Sequence, residues 1–166
     1  MESSHRAVRE GLVVGLIGYA AVAAFYAAFD LLASRGLLYT PDLLGKAVFR
    51  GWRDPSVLGF PIQLDFMALA GYNGLHLLIS IAIGFTVTGL VLHAERRPAH
   101  ARLVGLTIVA GFVVTVLGVG ALTSPMRPLL PWWSIALANG MAVIVGGWYF
   151  VRKHPGLWSR LVPVGG

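Results

Sequence analysis

Residues 65–93 read DFMALAGYNGLHLLISIAIGFTVTGLVLH, an apolar run with one histidine, His76, near its middle and another, His93, at its end. About 20 mostly apolar residues suffice to cross the hydrocarbon of a bilayer. Hydrocarbon solvates neither charge nor dipole, so an ionisable side chain inside such a run needs a partner, water or a ligand. The run is read as a transmembrane helix, and His76 as the residue that a functional account has to place. Three further runs, at about 11–32, 103–122 and 132–151, have the same character. Together they predict an all-α integral membrane protein, a four-transmembrane-helix bundle forming a single membrane domain over 1–166.

Composition supports the same class. The chain has 166 residues, 57% of them hydrophobic and 12% charged, with a mean hydropathy of +0.75, whereas soluble domains carry about 25% charged residues. Four spans with short connections use up this length and leave no room for an independent soluble catalytic domain. The formal net charge is +6 and the isoelectric point near 10.3. The basic residues are scattered over loops and termini rather than gathered in a patch, a distribution that suits anionic lipid headgroups and topology and argues against nucleic acid. With no cysteine in the chain, disulfides, thiol nucleophiles and thiolate metal sites are excluded.

The polar start, MESSHRAVRE, precedes a first apolar run longer than the roughly 7 to 15 residues of a signal-peptide core, so an uncleaved first helix is expected. Gly11, Gly15 and Gly18 give that helix a small-residue packing face. The connection over 34–61 contains a short helix of its own, at about 41–50. Thr40 is placed as its N-cap, Pro41 at its first position, and Gly51 where it should stop. Its Leu43, Leu44, Ala47 and Val48 form an apolar face and Asp42, Lys46 and Arg50 a polar one, the pattern of an amphipathic helix lying on a membrane surface or capping a bundle. Trp52 suits the interface. In the third span Gly111 and Gly118 share a face, and in the fourth Ala136, Gly140 and Gly147 make another small-residue stripe. Trp132, Trp133, Trp148 and Tyr149 read as aromatic belts at the two ends of the fourth span, and Trp158 as an anchor for the tail.

The N-terminus, the 2–3 loop and the tail carry eight Lys and Arg, and the opposite side five. The positive-inside rule then puts both termini in the cytoplasm of a bacterial inner membrane.

Two constellations could carry chemistry. Along one side of the second span run Tyr72, Asn73, His76 and Ser80, and Asn139 of the fourth span lies at a depth within roughly 3 Å of His76 by helical rise, so that a His76 to Asn139 hydrogen bond is open to it. This set reads either as interhelix glue, worth about 0.6 to 2 kcal/mol, or as a polar pathway. The second constellation is a candidate outer pocket of Tyr26, Asp30 and Asp65, whose plain structural alternative is carboxylates paired with Arg35, Arg50 or Arg53, with Asp65 also serving its helix start. A single-ligand haem or chlorin at His76 is a third use; a bis-histidine haem is not, because His93 lies roughly 25 Å further along the helix. His5, His100 and His154 fall in basic flanks and are read as solvated. No phosphate loop, HExxH pair, GxSxG elbow, metal cluster or internal repeat occurs. No cofactor or metal and no catalytic residue is predicted, and the partners expected are membrane lipids and other membrane-protein subunits or copies of the chain. The function expected is that of a non-enzymatic accessory or scaffolding subunit, with a small proton-coupled transporter or permease using Asp30, Asp65 and His76 as the alternative.

Overall fold

A computed structural model describes residues 2–156. Trp158 and Arg160, which the sequence assigns to the tail's anchoring and charge count, lie outside the described residues. Among these the protein is all-helical, and four of its helices are long and apolar enough to cross a membrane. In chain order the α-helices are α1 (Glu2–Leu32), α2 (Tyr39–Phe49), α3 (Pro55–Leu58), α4 (Phe66–Arg96), α5 (Ala101–Leu122) and α6 (Trp132–Lys153). α1, α4, α5 and α6 are the expected spans. α2 and α3 fill the long connection at one end of the bundle, the loop face; the start of α1 and the ends of α4 and α6 meet at the other, the terminal face.

The long helices overrun the hydropathy limits because their polar ends are engaged. α1 starts at Glu2 rather than near residue 11, and its first turns carry an Arg6–Glu10 pair one turn apart at 2.9 Å. α4 continues beyond His93 to Arg96, where Pro98 ends it by forcing Arg97 out of the helical region. At its start, the Asp65 side chain accepts the Ala68 backbone N–H at 3.0 Å, which makes Asp65 the N-cap.

Small residues set the closest helix contact. A Cβ on Gly15 would lie 2.6 Å from Ile81 Cα, and one on Gly84 would run into Gly11 O, Gly15 N and Gly15 Cα. Backbone therefore lies against backbone along the α1–α4 seam, as small-residue interfaces permit. Of the three glycines expected to form a packing face on α1, Gly11 and Gly15 are filled by α4, whereas Gly18 meets nothing within 4 Å. α4 and α6 both pack on α1 in preference to each other. α5 is the outlier, with only Ala101 and Val104 buried.

The short helix corrects two expectations. It begins at Tyr39 with Leu38 as N-cap and no side-chain cap bond, so Thr40 is not the cap. Nor is its polar face wholly in water: Asp42 is 0% and Lys46 2% exposed and only Arg50 is open, while Val48 of the supposed apolar face is 52% exposed. The reason is α4, against which α2 packs so closely that a Cβ on Gly45 would strike Ala68 O. Asp42 and Lys46 are turned into that contact and neutralise each other at 2.6 Å. The expected stop holds: Gly51 takes φ 71°, and the Trp52 N–H closes back on Lys46 O at 3.3 Å. The largest buried cluster joins α2 to the loop-face halves of α1 and α6, with Val22, Tyr26, Leu43, Leu130, Ile135 and Ala138 among its members.

Candidate functional site

Three polar groups of side chains occur at three depths. The middle one is built on the α1–α4 seam. The Tyr19 hydroxyl donates to Asn73 Oδ1 at 3.0 Å, and Asn73 Nδ2 donates to Leu69 O one turn back on its own helix at 2.9 Å. The His76 ring lies between two tyrosines, with centroids 5.1 Å from Tyr19 and 5.8 Å from Tyr72. Tyr72, Asn73 and His76 thus do share a side of α4. Ser80, one turn further, reaches the seam at Gly15, where its carbonyl oxygen would lie 2.9 Å from an added Cβ.

Asn139 does not join them. Its Nδ2 donates to Ile135 O of its own helix at 2.8 Å, and the expected His76–Asn139 bond is not made. Matching depth fixes the level of two side chains but not their direction around the helix axes. α1 supplies the neighbour instead, through Tyr19, a residue the sequence reading did not single out; a tyrosine within an apolar run, with Asn73 on a neighbouring span, is the signal that would have found it. Among the described residues His76 has no hydrogen-bond partner. Among the described residues, one fully buried side-chain polar atom, Thr88 Oγ1, also has no hydrogen-bond partner.

At the loop face the two carboxylates of the candidate pocket are engaged separately. Asp30, fully buried, accepts both the backbone N–H and the side-chain hydroxyl of Thr40 at 2.7 Å. Its negative charge meets the first turn of α2, where unpaired N–H groups and the helix dipole favour an anion. It is a cap supplied by another helix, not the arginine pair that the plain structural reading expected for it. Arg35 instead donates to Leu129 O at 2.9 Å and lies over the Tyr39 ring, its carbon 5.1 Å from the centroid. Tyr26 is buried in the main cluster beside Ser134.

Asp65 does take an arginine, with Arg50 Nε at 2.8 Å and Nη2 at 3.3 Å. The Arg50 guanidinium, helped by the Ala68 N–H, holds the Asp65 carboxyl down at about 2. Asp42 completes a network: its Oδ1 accepts the Asp65 backbone N–H at 2.7 Å, its Oδ2 accepts from Lys46 at 2.6 Å, and Lys46 also donates to Gln63 O. Burial pushes the Tyr39 hydroxyl up; it donates to Leu58 O at 2.8 Å and so fixes α3 to α2. Beside this network are two open hollows. One, of about 520 Å³, is bordered by Lys46, Trp52, Gln63 and Asp65; the other, of about 370 Å³, by Arg35, Tyr39 and Phe60. Asp30 borders neither, so Tyr26, Asp30 and Asp65 do not form one pocket.

The third group is at the terminal face and corrects the reading of His154 as solvated. That ring is 2% exposed. Its Nδ1 lies 2.5 Å from Glu95 Oε1 and its Nε2 3.1 Å from Glu10 Oε2. The two nitrogens face different carboxylates, and among the described residues no three His, Asp or Glu side chains converge as a metal site requires. The clue in the sequence was topological: an acidic residue at the start of the first span, another at the end of the second and a histidine after the fourth all fall on one face. His93 and His100 pair on the same face at 3.0 Å, His93 exposed and His100 half-buried. The aromatic residues of α6 sit as belts would, Trp132, Trp133 and Trp148 being exposed at its two ends and Arg152 lying over Trp148 at 3.9 Å.

Compared with protein-family models, with curated proteins and with solved structures, the chain matches none.

Proposed function

We infer that the chain is a non-enzymatic four-helix protein of a bacterial inner membrane with both termini in the cytoplasm, an accessory or scaffolding subunit that packs against other membrane proteins or further copies of itself. The observation that carries this reading is how the buried charges are used. Asp30 holds Thr40, Asp42 holds the Asp65 backbone N–H, and Glu10 holds His154; each joins one segment to another. Two further features support it. Glycine backbone closes the α1–α4 seam between the middle and terminal polar groups, which disfavours a water-filled path there. Among the described residues Gly111 and Gly118 of α5 and Gly140 and Gly147 of α6 meet nothing within 4 Å, and surfaces of this kind let a neighbouring helix approach closely. Purification from a native membrane in mild detergent, followed by light scattering and identification of bound proteins, tests the reading. An oligomer or a defined complex is expected; a bare monomer under every mild condition counts against it.

His76 favours a second reading, a small proton-coupled transporter using Asp30, Asp65 and His76. An imidazole in the middle of a span with no hydrogen-bond partner among the described residues is unusual in a purely structural group. Flux into proteoliposomes that is the same for wild type, His76→Ala and Asp30→Asn removes this reading. The same imidazole is the ligand in the haem or chlorin reading, which an absorption spectrum without a visible band eliminates.

A further inference from the structure

We propose that Glu10, His154 and Glu95 form a proton-operated latch holding the end of α6 against α1 and α4. The inference is independent of what the protein packs against. It starts from hydrogen-bond inventory: imidazole has one N–H and one lone pair when neutral and two N–H groups when protonated. Both ring nitrogens of His154 face carboxylate oxygens, at 2.5 and 3.1 Å. Only the imidazolium donates to both. Once it loses its proton, one nitrogen turns a lone pair toward an anionic oxygen, and one of the two ties is replaced by repulsion.

Charge and burial point the same way. Facing the ring are Glu10 from α1, backed by Arg6 at 2.9 Å, and Glu95 from α4. Tyr149 of α6 faces Arg6, Phe150 covers the ring at 5.9 Å between centroids, and Arg152 is turned away onto Trp148. α5 packs nearby with Ala101 and Val104 against Ala94, and no α5 side chain among the described residues makes an ion pair there. With the ring protonated the two cations and two carboxylates balance; with it neutral, Glu10 keeps Arg6 while Glu95 loses its cation and the two carboxylates share one positive charge around a ring whose side chain is 0% exposed. Glu95 is 34% exposed and provides the route by which the proton exchanges with solvent.

The latch is therefore closed while the ring is protonated and the carboxylates ionised, and it opens as the pH rises. Because the chain has no cysteine, Lys153→Cys gives a unique site for a nitroxide label one residue before the ring. Its line shape in detergent is followed from about pH 5 to about pH 10, a range that covers ordinary and carboxylate-stabilised histidines. The label is expected to go from immobilised to mobile as the pH rises, and in His154→Gln to be mobile and flat throughout. Ring ¹⁵N shifts of His154 in the unsubstituted protein should show both nitrogens protonated in the immobilised range. A label that does not respond, an equal response in His154→Gln, or a neutral ring in the immobilised state overturns the proposal.

Discussion

Asp30 shows how one side chain can decide where a segment goes. Its two oxygens take a backbone N–H and a hydroxyl from Thr40, and without them the start of α2 has two buried donors unpaired. Leaving a buried donor unsatisfied costs about 1 to 3 kcal/mol, so Asp30→Ala is expected to lower unfolding stability in detergent by about that much. Thr40→Val should cost less alone, and little more once Asp30 is gone. Additive losses in this double-mutant cycle would show that the two do not act through each other. Asp65 gives a prediction in pH. Its carboxyl is held at about 2, below the ordinary value of about 3.9, so the stability it supplies is complete above that value and fades as the pH falls through it. Asn caps helices as well as Asp does, so Asp65→Asn removes chiefly the Arg50 pair. The melting-temperature gap between wild type and Asp65→Asn is expected to close between about pH 4 and about pH 2; a gap unchanged at pH 2 rules the pair out as its source.

At the scale of elements, glycines with the same look in the sequence have opposite duties. Gly84 faces the backbone of Gly11 and Gly15, and Gly45 faces Ala68 O, whereas Gly140 meets nothing within 4 Å among the described residues. Forcing a methyl group into a close-packed contact costs roughly 1 to 3 kcal/mol. Gly84→Ala and Gly45→Ala should therefore destabilise by about that amount, measured by thermal unfolding in detergent, and Gly140→Ala should be neutral or slightly stabilising because alanine is the better helix former. Equal effects at all three would mean that the α1–α4 and α2–α4 contacts are not as close as described. The burial of Asp42 and Lys46 in α2 was hidden from the sequence for a related reason. A hydrophobic face at helical spacing identifies an amphipathic helix but not what its polar face meets, and here Asp42 and Lys46 found each other, Gln63 and Asp65 rather than water.

At the scale of the whole molecule, packing is uneven: the main cluster is gathered at the loop face and α5 stands at the margin. Leu43 is 0% exposed within that cluster, and Leu117 of α5 is 67% exposed. Truncating a buried leucine costs about 2 to 5 kcal/mol. Leu43→Ala is expected to fall in that range and Leu117→Ala near zero, as read from unfolding in detergent. A large loss at Leu117 in the isolated protein would show that α5 is held more firmly than its burial indicates. A loss that appears only in a complex would place the partner on α5.

Hydropathy is a local sum, and so the sequence by itself determined what local sums can: four helices long and apolar enough to cross a membrane, their order, a short helix in the first connection, and its stop at Gly51. Helical spacing also determined that Tyr72, Asn73 and His76 share a side of α4. What a polar side chain bonds to depends on how helices are rotated about their axes and on which packs against which. Only the tertiary structure decided that Tyr19 rather than Asn139 lies beside His76, that Asp30 caps α2, and that His154 is buried between Glu10 and Glu95. Each of these contacts joins segments that the chain holds apart and the fold brings together.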